Sequence, residues 1–136
     1  MRLDELKVGD SGSFTKTITE TDVYNFAGIS GDFNPAHVNA VEASKGIFGE
    51  RIAHGFLVGS LISTVVGTVM PGPGTIYMGQ ELKFLKPVRF GDTITATVRI
   101  KEILTEKKRV VADTFCVNQN GETVISGEAV FRPPLA

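Results

Sequence analysis

The clearest periodicity in the chain lies between residues 93 and 101, where Ile94, Ala96, Val98 and Ile100 alternate with Thr93, Thr95, Thr97, Arg99 and Lys101. A period of two belongs to a strand with one buried and one solvated face, and it predicts such a strand here. Two more strands are predicted over Arg109 to Val117 and Glu122 to Phe131, joined by the hairpin signal Asn118-Gln119-Asn120-Gly121. A further strand should run from Ile76 to Lys86, with Gly79 marking a bulge or a close backbone approach and Pro87 an end or edge. Weak alternation over Gly12 to Ile18, after the Gly9-Asp10 turn signal, predicts the first strand.

Between the first strand and the others the period changes. Thr19 can cap a helix whose first turn carries Glu20 and Asp22, with Val23, Phe26, Ala27 and Ile29 as its apolar face and its end by Gly31. Val41 to Lys45 reads as a short helical turn, and Gly55 to Met70 as the one long helix. Side-chain size in that helix repeats nearly every four residues. Leu57/Val58, Leu61/Ile62, Val65/Val66 and Val69 alternate with Gly59/Ser60, Ser63/Thr64 and Gly67/Thr68. One side is therefore bulky, and the other admits close approach by a sheet, another subunit or a ligand, with plain packing the commonest use. The order of strand, helices and four strands predicts an α+β fold, a curved, mainly antiparallel sheet packed on one long helix.

Composition narrows the function. A chain of 136 residues fits a single domain spanning 1–136, large enough for its own core. With 14 Lys and Arg against 15 Asp and Glu, and no basic run, a nucleic-acid partner is disfavoured. The lone Cys116 allows no internal disulfide, and Met1-Arg2-Leu3-Asp4-Glu5 is too polar for a signal peptide, so a cytoplasmic protein is expected. No Lys, Arg, Asp or Glu occurs from Ile52 to Gln80, but Pro71-Gly72-Pro73-Gly74 leaves too short an apolar run to span a membrane.

Candidate chemistry concentrates in Ser30-Gly31-Asp32-Phe33-Asn34-Pro35-Ala36-His37. Gly31 permits positive φ, Pro35 fixes its own φ and pushes Asn34 out of the α region, so the stretch should be a shaped loop rather than a regular helix. Asp32 and His37 would point about 140° apart on a helix, whereas a folded loop can aim both into one cavity. A carboxylate and a neutral imidazole sharing one water could serve hydration or dehydration. The plainer alternative gives Asp32 an Asx turn and His37 a packing or capping role. His54-Gly55 opens the long helix, where the Gly55 N–H could receive negative charge on an oxygen, while His54 itself reads as a structural histidine. Ser63, two turns on, could touch a substrate or bond back to a helical carbonyl. No nucleotide-binding glycine fingerprint, zinc-type ligand spacing or G-x-S-x-G elbow competes, and Cys116 should be buried and inert.

The run Tyr24-Asn25-Phe26-Ala27-Gly28-Ile29-Ser30-Gly31-Asp32-Phe33-Asn34-Pro35-Ala36-His37, ending at Ala43-Ser44, strongly resembles the signature of MaoC-like R-specific enoyl-CoA hydratases. Ile52-Ala53-His54-Gly55-Phe56-Leu57 with Ser60-Leu61-Ile62-Ser63, and Pro71-Gly72-Pro73-Gly74-Thr75-Ile76-Tyr77, resemble later parts of the same family, so the likeness spans nearly the whole chain. Ala36 departs from the larger aliphatic residue common there, which bears on local pocket volume. The resemblance implies a hot-dog fold, a homodimer, and interconversion of trans-2-enoyl-CoA and water with R-3-hydroxyacyl-CoA of short to medium chain. It implies Asp32 and His37 as the catalytic pair, the Gly55 N–H as oxyanion donor, Ser63 as a supporting contact and Asn34 as a loop-shaping residue. Leu57, Ile62 and Val66 become candidates for the acyl wall. Lys45, Arg51, Lys83, Lys86 and Arg89 could receive coenzyme A phosphates, although solvated surface charge is the default for each. No metal and no cofactor beyond the coenzyme A of the substrate is expected. Two other readings are a hot-dog acyl-CoA thioesterase and a non-catalytic acyl-CoA binding protein.

Overall fold

The alternating segments pair into one antiparallel sheet. In the computed structural model, which describes residues 1–135, the strands are β1 (Ser11–Thr17), β2 (Ile76–Phe84), β3 (Thr93–Leu104), β4 (Arg109–Val117) and β5 (Thr123–Arg132). Their order across the sheet is β1-β3-β4-β5-β2, and every neighbouring pair is antiparallel. On β3 the four alternating apolar residues are fully buried, while Thr93, Thr95 and Thr97 hydrogen-bond across to Thr17, Thr15 and Ser13 of β1 on the other face. The pleat thus separates a core face from a polar ladder. Cys116 of β4 is buried against the Val58 carbonyl, and burial pushes its thiol up to about 12, so it stays protonated near neutrality.

Four helices follow the first strand or the loop after it: α1 (Glu20–Ser30), α2 (Pro35–Val38), α3 (Ala40–Ser44) and α4 (Gly55–Thr64). Thr19 opens α1 with a reciprocal capping box, its Oγ1 accepting from the Asp22 N–H while its own N–H donates to the Asp22 carboxylate. Val23 and Ala27 are buried and Phe26 is partly so, but Ile29 is 85% exposed. Six residues beyond Val23 it lies about 240° round the helix, off the core stripe.

Helix α4 lays Val58, Leu61 and Ile62 on β1, β3 and β4, and Val65 and Val66 continue that buried row. Regular α geometry stops at Thr64, short of the Met70 expected, and Val65–Val69 form a π-helical turn in which the Met70 N–H donates to Val65 O. Hydrophobic spacing carries no signal for that widening. Gly59 on the small face would set a Cβ 3.1 Å from Leu82 of β2, while Ser60, Ser63 and Gly67 remain exposed. No helix among the described residues is long and apolar enough to cross a membrane.

Strand β2 closes one edge of the sheet, with a register shift between Tyr77 and Gly79. It leaves no room for a side chain at Gly127 of β5, where a Cβ would stand 1.8 Å from the Glu81 carbonyl oxygen. Gly127 also pairs with Thr114 of β4, so neither neighbour can retreat alone. Gly127→Ala is expected to cost about 3 kcal/mol or more, measured as a lowered urea midpoint; an unchanged midpoint would refute the close approach.

Candidate active site

The loop after α1 is built from three bonds of one kind. Ser30 Oγ accepts from the Asp32 N–H at 3.1 Å, Asp32 Oδ1 from the Asn34 N–H at 3.1 Å, and Asn34 Oδ1 from the Ala36 N–H at 3.0 Å. Short polar side chains two residues apart each satisfy the backbone ahead of them, which is how a loop keeps one shape. Gly31 ends α1 in the left-handed region at φ 81°, its N–H returning to Ala27 O. The loop gives way to α2 at Pro35, with Asn34 as cap and Pro35 in the first turn, so His37 sits in a short helix rather than in the loop.

His37 is oriented from its other side. Its Nδ1 lies 2.7 Å from Ile52 O, a carbonyl that can only accept, so Nδ1 carries the hydrogen and Nε2 keeps a free lone pair. Ile52 is fixed in turn: its N–H donates to Ala36 O, and it bridges to Arg89 beside the bond from the Ala53 N–H to Val88 O. Arg51, next to it, reaches the Tyr24 hydroxyl at 2.6 Å and Glu20 at 3.3 Å, with its guanidinium 4.9 Å above the Phe90 ring. Those contacts tie α1 to the segment that aims the imidazole.

His54 completes the cluster. Its Nε2 lies 2.9 Å from Asp32 O, and its ring stacks on His37 with centroids 3.9 Å apart at 27°. Ligand-type atoms of Asp32, His37 and His54 fall within 4.8 Å of one another. His37 Nδ1 and His54 Nε2 are taken by carbonyls, which leaves His37 Nε2 and one Asp32 carboxylate oxygen without a hydrogen bond among the described residues.

His54 is also the N-cap of α4, and its side chain makes no capping bond, so the first-turn N–H groups of that helix have no capping side chain. Gly55, the first of them, lines two adjoining cavities together with His37 and Phe56. One, of about 290 Å³, is bordered by Phe26, Ser30, Asp32 and His54; the other, of about 350 Å³, by apolar side chains including Phe48, Ile52, Val58, Phe84, Val88 and Ile125. A Cβ on Gly55 would stand 2.6 Å from the Phe84 ring, so any larger residue there would have to push that ring aside. A carboxylate, a free imidazole nitrogen and a helix N-terminus therefore meet where the two cavities adjoin.

The sequence matches the model of the MaoC-like domain over residues 8–121. The chain belongs to the MaoC-like family. A MaoC-like relative in Rhodospirillum rubrum, an (R)-specific enoyl-CoA hydratase, is 51% identical over 131 residues, covering 96% of this chain and 90% of that one. A 3-hydroxybutyryl-CoA dehydratase of Methylorubrum extorquens is 40% identical over 131 residues, covering 96% and 83%. Among solved MaoC-like structures, the unliganded R-hydratase PhaJ1 from Pseudomonas aeruginosa superposes with a TM-score of 0.94 at 45% identity, over 99% of this chain and 86% of that one. The fold is the hot-dog fold of these hydratases, a sheet wrapped on a central helix.

Other residues singled out in the sequence stand elsewhere. Ser63 lies on an exposed face of α4 and borders neither cavity; eight residues past Gly55, it is ~12 Å along the helix and ~80° round it. Ile62 and Val66 are buried in the core and Leu57 packs at its margin, so these three do not form the cavity wall. The cavities reach only the first turn of α4, and their walls come from the loop before it and the end of β2. Each of the five basic residues is paired: Lys45 with Glu42, Arg51 with Glu20, Lys83 with Glu81, Lys86 with Glu122 and Arg89 with Glu50. Lys86 alone of the five borders the apolar cavity. Exposed pairs of this kind are worth about 1 kcal/mol or less, so a phosphate could displace the carboxylate.

The cap at Asn34 gives a direct test of the loop. Asn34→Ala is expected to lower stability by about 1 kcal/mol, read from chemical denaturation; an unchanged midpoint would show that the Ala36 N–H finds another acceptor without loss.

Proposed function

We propose that this chain is an R-specific enoyl-CoA hydratase, adding water reversibly to a trans-2-enoyl-CoA to give the R-3-hydroxyacyl-CoA. The observation that carries the reading is the convergence of Asp32, the free Nε2 of His37 and the first-turn N–H of Gly55 on one cavity mouth. The relatives named above supply the substrate class and the stereochemistry.

In this mechanism a water donates its two hydrogens to the free Asp32 oxygen and to His37 Nε2, which turns an oxygen lone pair toward C3 of the enoyl thioester. As that oxygen bonds to C3, the C2–C3 π electrons move onto the thioester carbonyl, and the Gly55 N–H receives the enolate charge. One dyad member takes the water's proton and a proton returns from the dyad to C2, so the pair ends as it began and one water has been added. Asp32 and His37 act jointly; base and acid are not divided between them. Asp32 and His37 border the same cavity with their polar atoms within 4.8 Å of each other, so in this mechanism hydroxyl and hydrogen are delivered to the same face of the double bond. The apolar cavity behind His37, walled by Phe48, Phe84 and Ile125, accepts the acyl chain, and the substrate's coenzyme A is the only cofactor-like group required.

The working unit in this proposal is a homodimer. Strand β2 ends the sheet with its outer edge unpaired, and Ile76, Met78, Phe84 and Leu85 on and beside it are exposed, as is Phe56 of α4. A second copy pairing β2 to β2 would extend the sheet and cover these side chains. Sedimentation is expected to give twice the 14.6 kDa chain mass; a stable monomer would sink the dimer.

Crotonyl-CoA given to the purified protein should lose the absorbance of its conjugated thioester without release of free thiol. Asp32→Asn and His37→Gln should each slow this by about a hundredfold or more. Wild-type turnover matched by both variants would rule out the dyad, and thiol release in its place would establish a thioesterase.

A further inference from the structure

His54 takes no part in the mechanism above, yet it is 2% exposed and touches both members of the dyad. The acceptor of its Nε2 bond is the Asp32 backbone carbonyl, so Nε2 carries the hydrogen. The face of the same ring lies on His37, and Phe26 packs tilted against it with centroids 4.8 Å apart. Its other nitrogen, Nδ1, is buried and has no hydrogen-bond partner among the described residues. A buried acceptor left unpaired is a net cost to the fold, and an apolar side chain of similar volume would avoid it. Packing alone therefore does not account for an imidazole at this position. A ring with a donor at its far end does: it can hold the Asp32 main chain and back the His37 ring at the same time.

We propose that His54 is a positioning residue for the dyad, fixing Asp32 through its carbonyl and His37 through its ring face. The proposal rests on the hydratase reading, since it assigns His54 to alignment of that reaction's proton-transfer groups. It also requires the chain's two histidines to hold opposite tautomers, His37 as Nδ1–H and His54 as Nε2–H. Neither bond depends on the other ring's exchangeable hydrogen.

Two variants separate positioning from packing. In His54→Gln the amide nitrogen falls near the place of Nε2 and can still reach Asp32 O, whereas in His54→Asn it falls near Nδ1 and cannot. Both lose the ring, so a packing defect affects them alike. With crotonyl-CoA, and rates corrected for folded fraction, kcat is expected to fall about tenfold in His54→Gln and about a hundredfold or more in His54→Asn, with KM changed no more than about threefold. Imidazole ¹⁵N spectra of the wild type should show one Nδ1–H and one Nε2–H ring. Equal kcat in the two variants, a change confined to KM, or two rings of the same tautomer would overturn the proposal. Should either variant fail to fold, the wild-type spectrum decides. An inactive wild type with opposite tautomers would instead overturn the hydratase reading and leave both His54 contacts standing, while an active wild type with equal variants would remove the positioning role alone.

Discussion

Burial of α4 on the sheet is the interaction on which the rest of the molecule depends. Val58, Leu61, Ile62, Val65 and Val66 leave water together, and at about 1.5 to 3 kcal/mol each they contribute on the order of 10 kcal/mol as an upper estimate. An N-terminus without a side-chain cap forgoes only about 1 kcal/mol. The helix can therefore leave its first turn open at Gly55 without risk to its place in the fold. An isolated ten-residue helix could not, because helices of that length are marginal in water. Stability supplied by the C-terminal two-thirds of the helix is what allows the N-terminal turn to face a cavity.

The second constraint is the loop that faces this turn. Asp32 and His37 belong to different local structures, one a turn and the other a helix of four residues, and two separate devices bring them together. From the N-terminal side, the bonds at Ser30, Asp32 and Asn34 step the chain forward two residues at a time. From the other, the Ile52 carbonyl holds His37, and Ile52 is itself pinned between Ala36 and Arg89. The Asx turn at Asp32 and the backbone bond of His37 would each satisfy a purely structural account. They do not exhaust the two side chains, because one carboxylate oxygen and Nε2 of the imidazole are left over. The bonds that shape the loop are thus the bonds that present its reactive atoms.

Much of this was legible in the sequence, for reasons that can be stated residue by residue. Alternation on β3, the Thr19 cap with acidic residues in the turn after it, and Gly31 at the end of α1 are local signals, and each sets local structure directly. Asp32 and His37 were recognisable because the glycine, asparagine and proline that shape their loop lie beside them in the chain. The cavity wall was not legible. Phe48 and Phe84 are brought over the first turn of α4 from 36 positions apart, whereas Leu57, Ile62 and Val66, the wall candidates that the family resemblance implied, are taken by the buried face of α4 into or against the core. The stacking of His54 on His37 was equally hidden, since 17 positions and helix α3 separate them. Its one advance sign was a histidine set directly before the glycine that opens the central helix.

What orients the two histidines matters as much as where they lie. Each uses one ring nitrogen on a main-chain carbonyl, His37 on Ile52 and His54 on Asp32. Metal-bound and hydrolytic histidines are often oriented by a carboxylate, which titrates and can itself take the proton. A carbonyl cannot. The tautomers here are therefore fixed by groups that stay the same throughout a reaction cycle, and Asp32, the one carboxylate clustered with the two rings among the described residues, keeps an oxygen for the water that the proposed mechanism places between it and His37. A site that must pass one proton out and one back gains from this division, because the groups that hold it in shape are not the groups that change protonation.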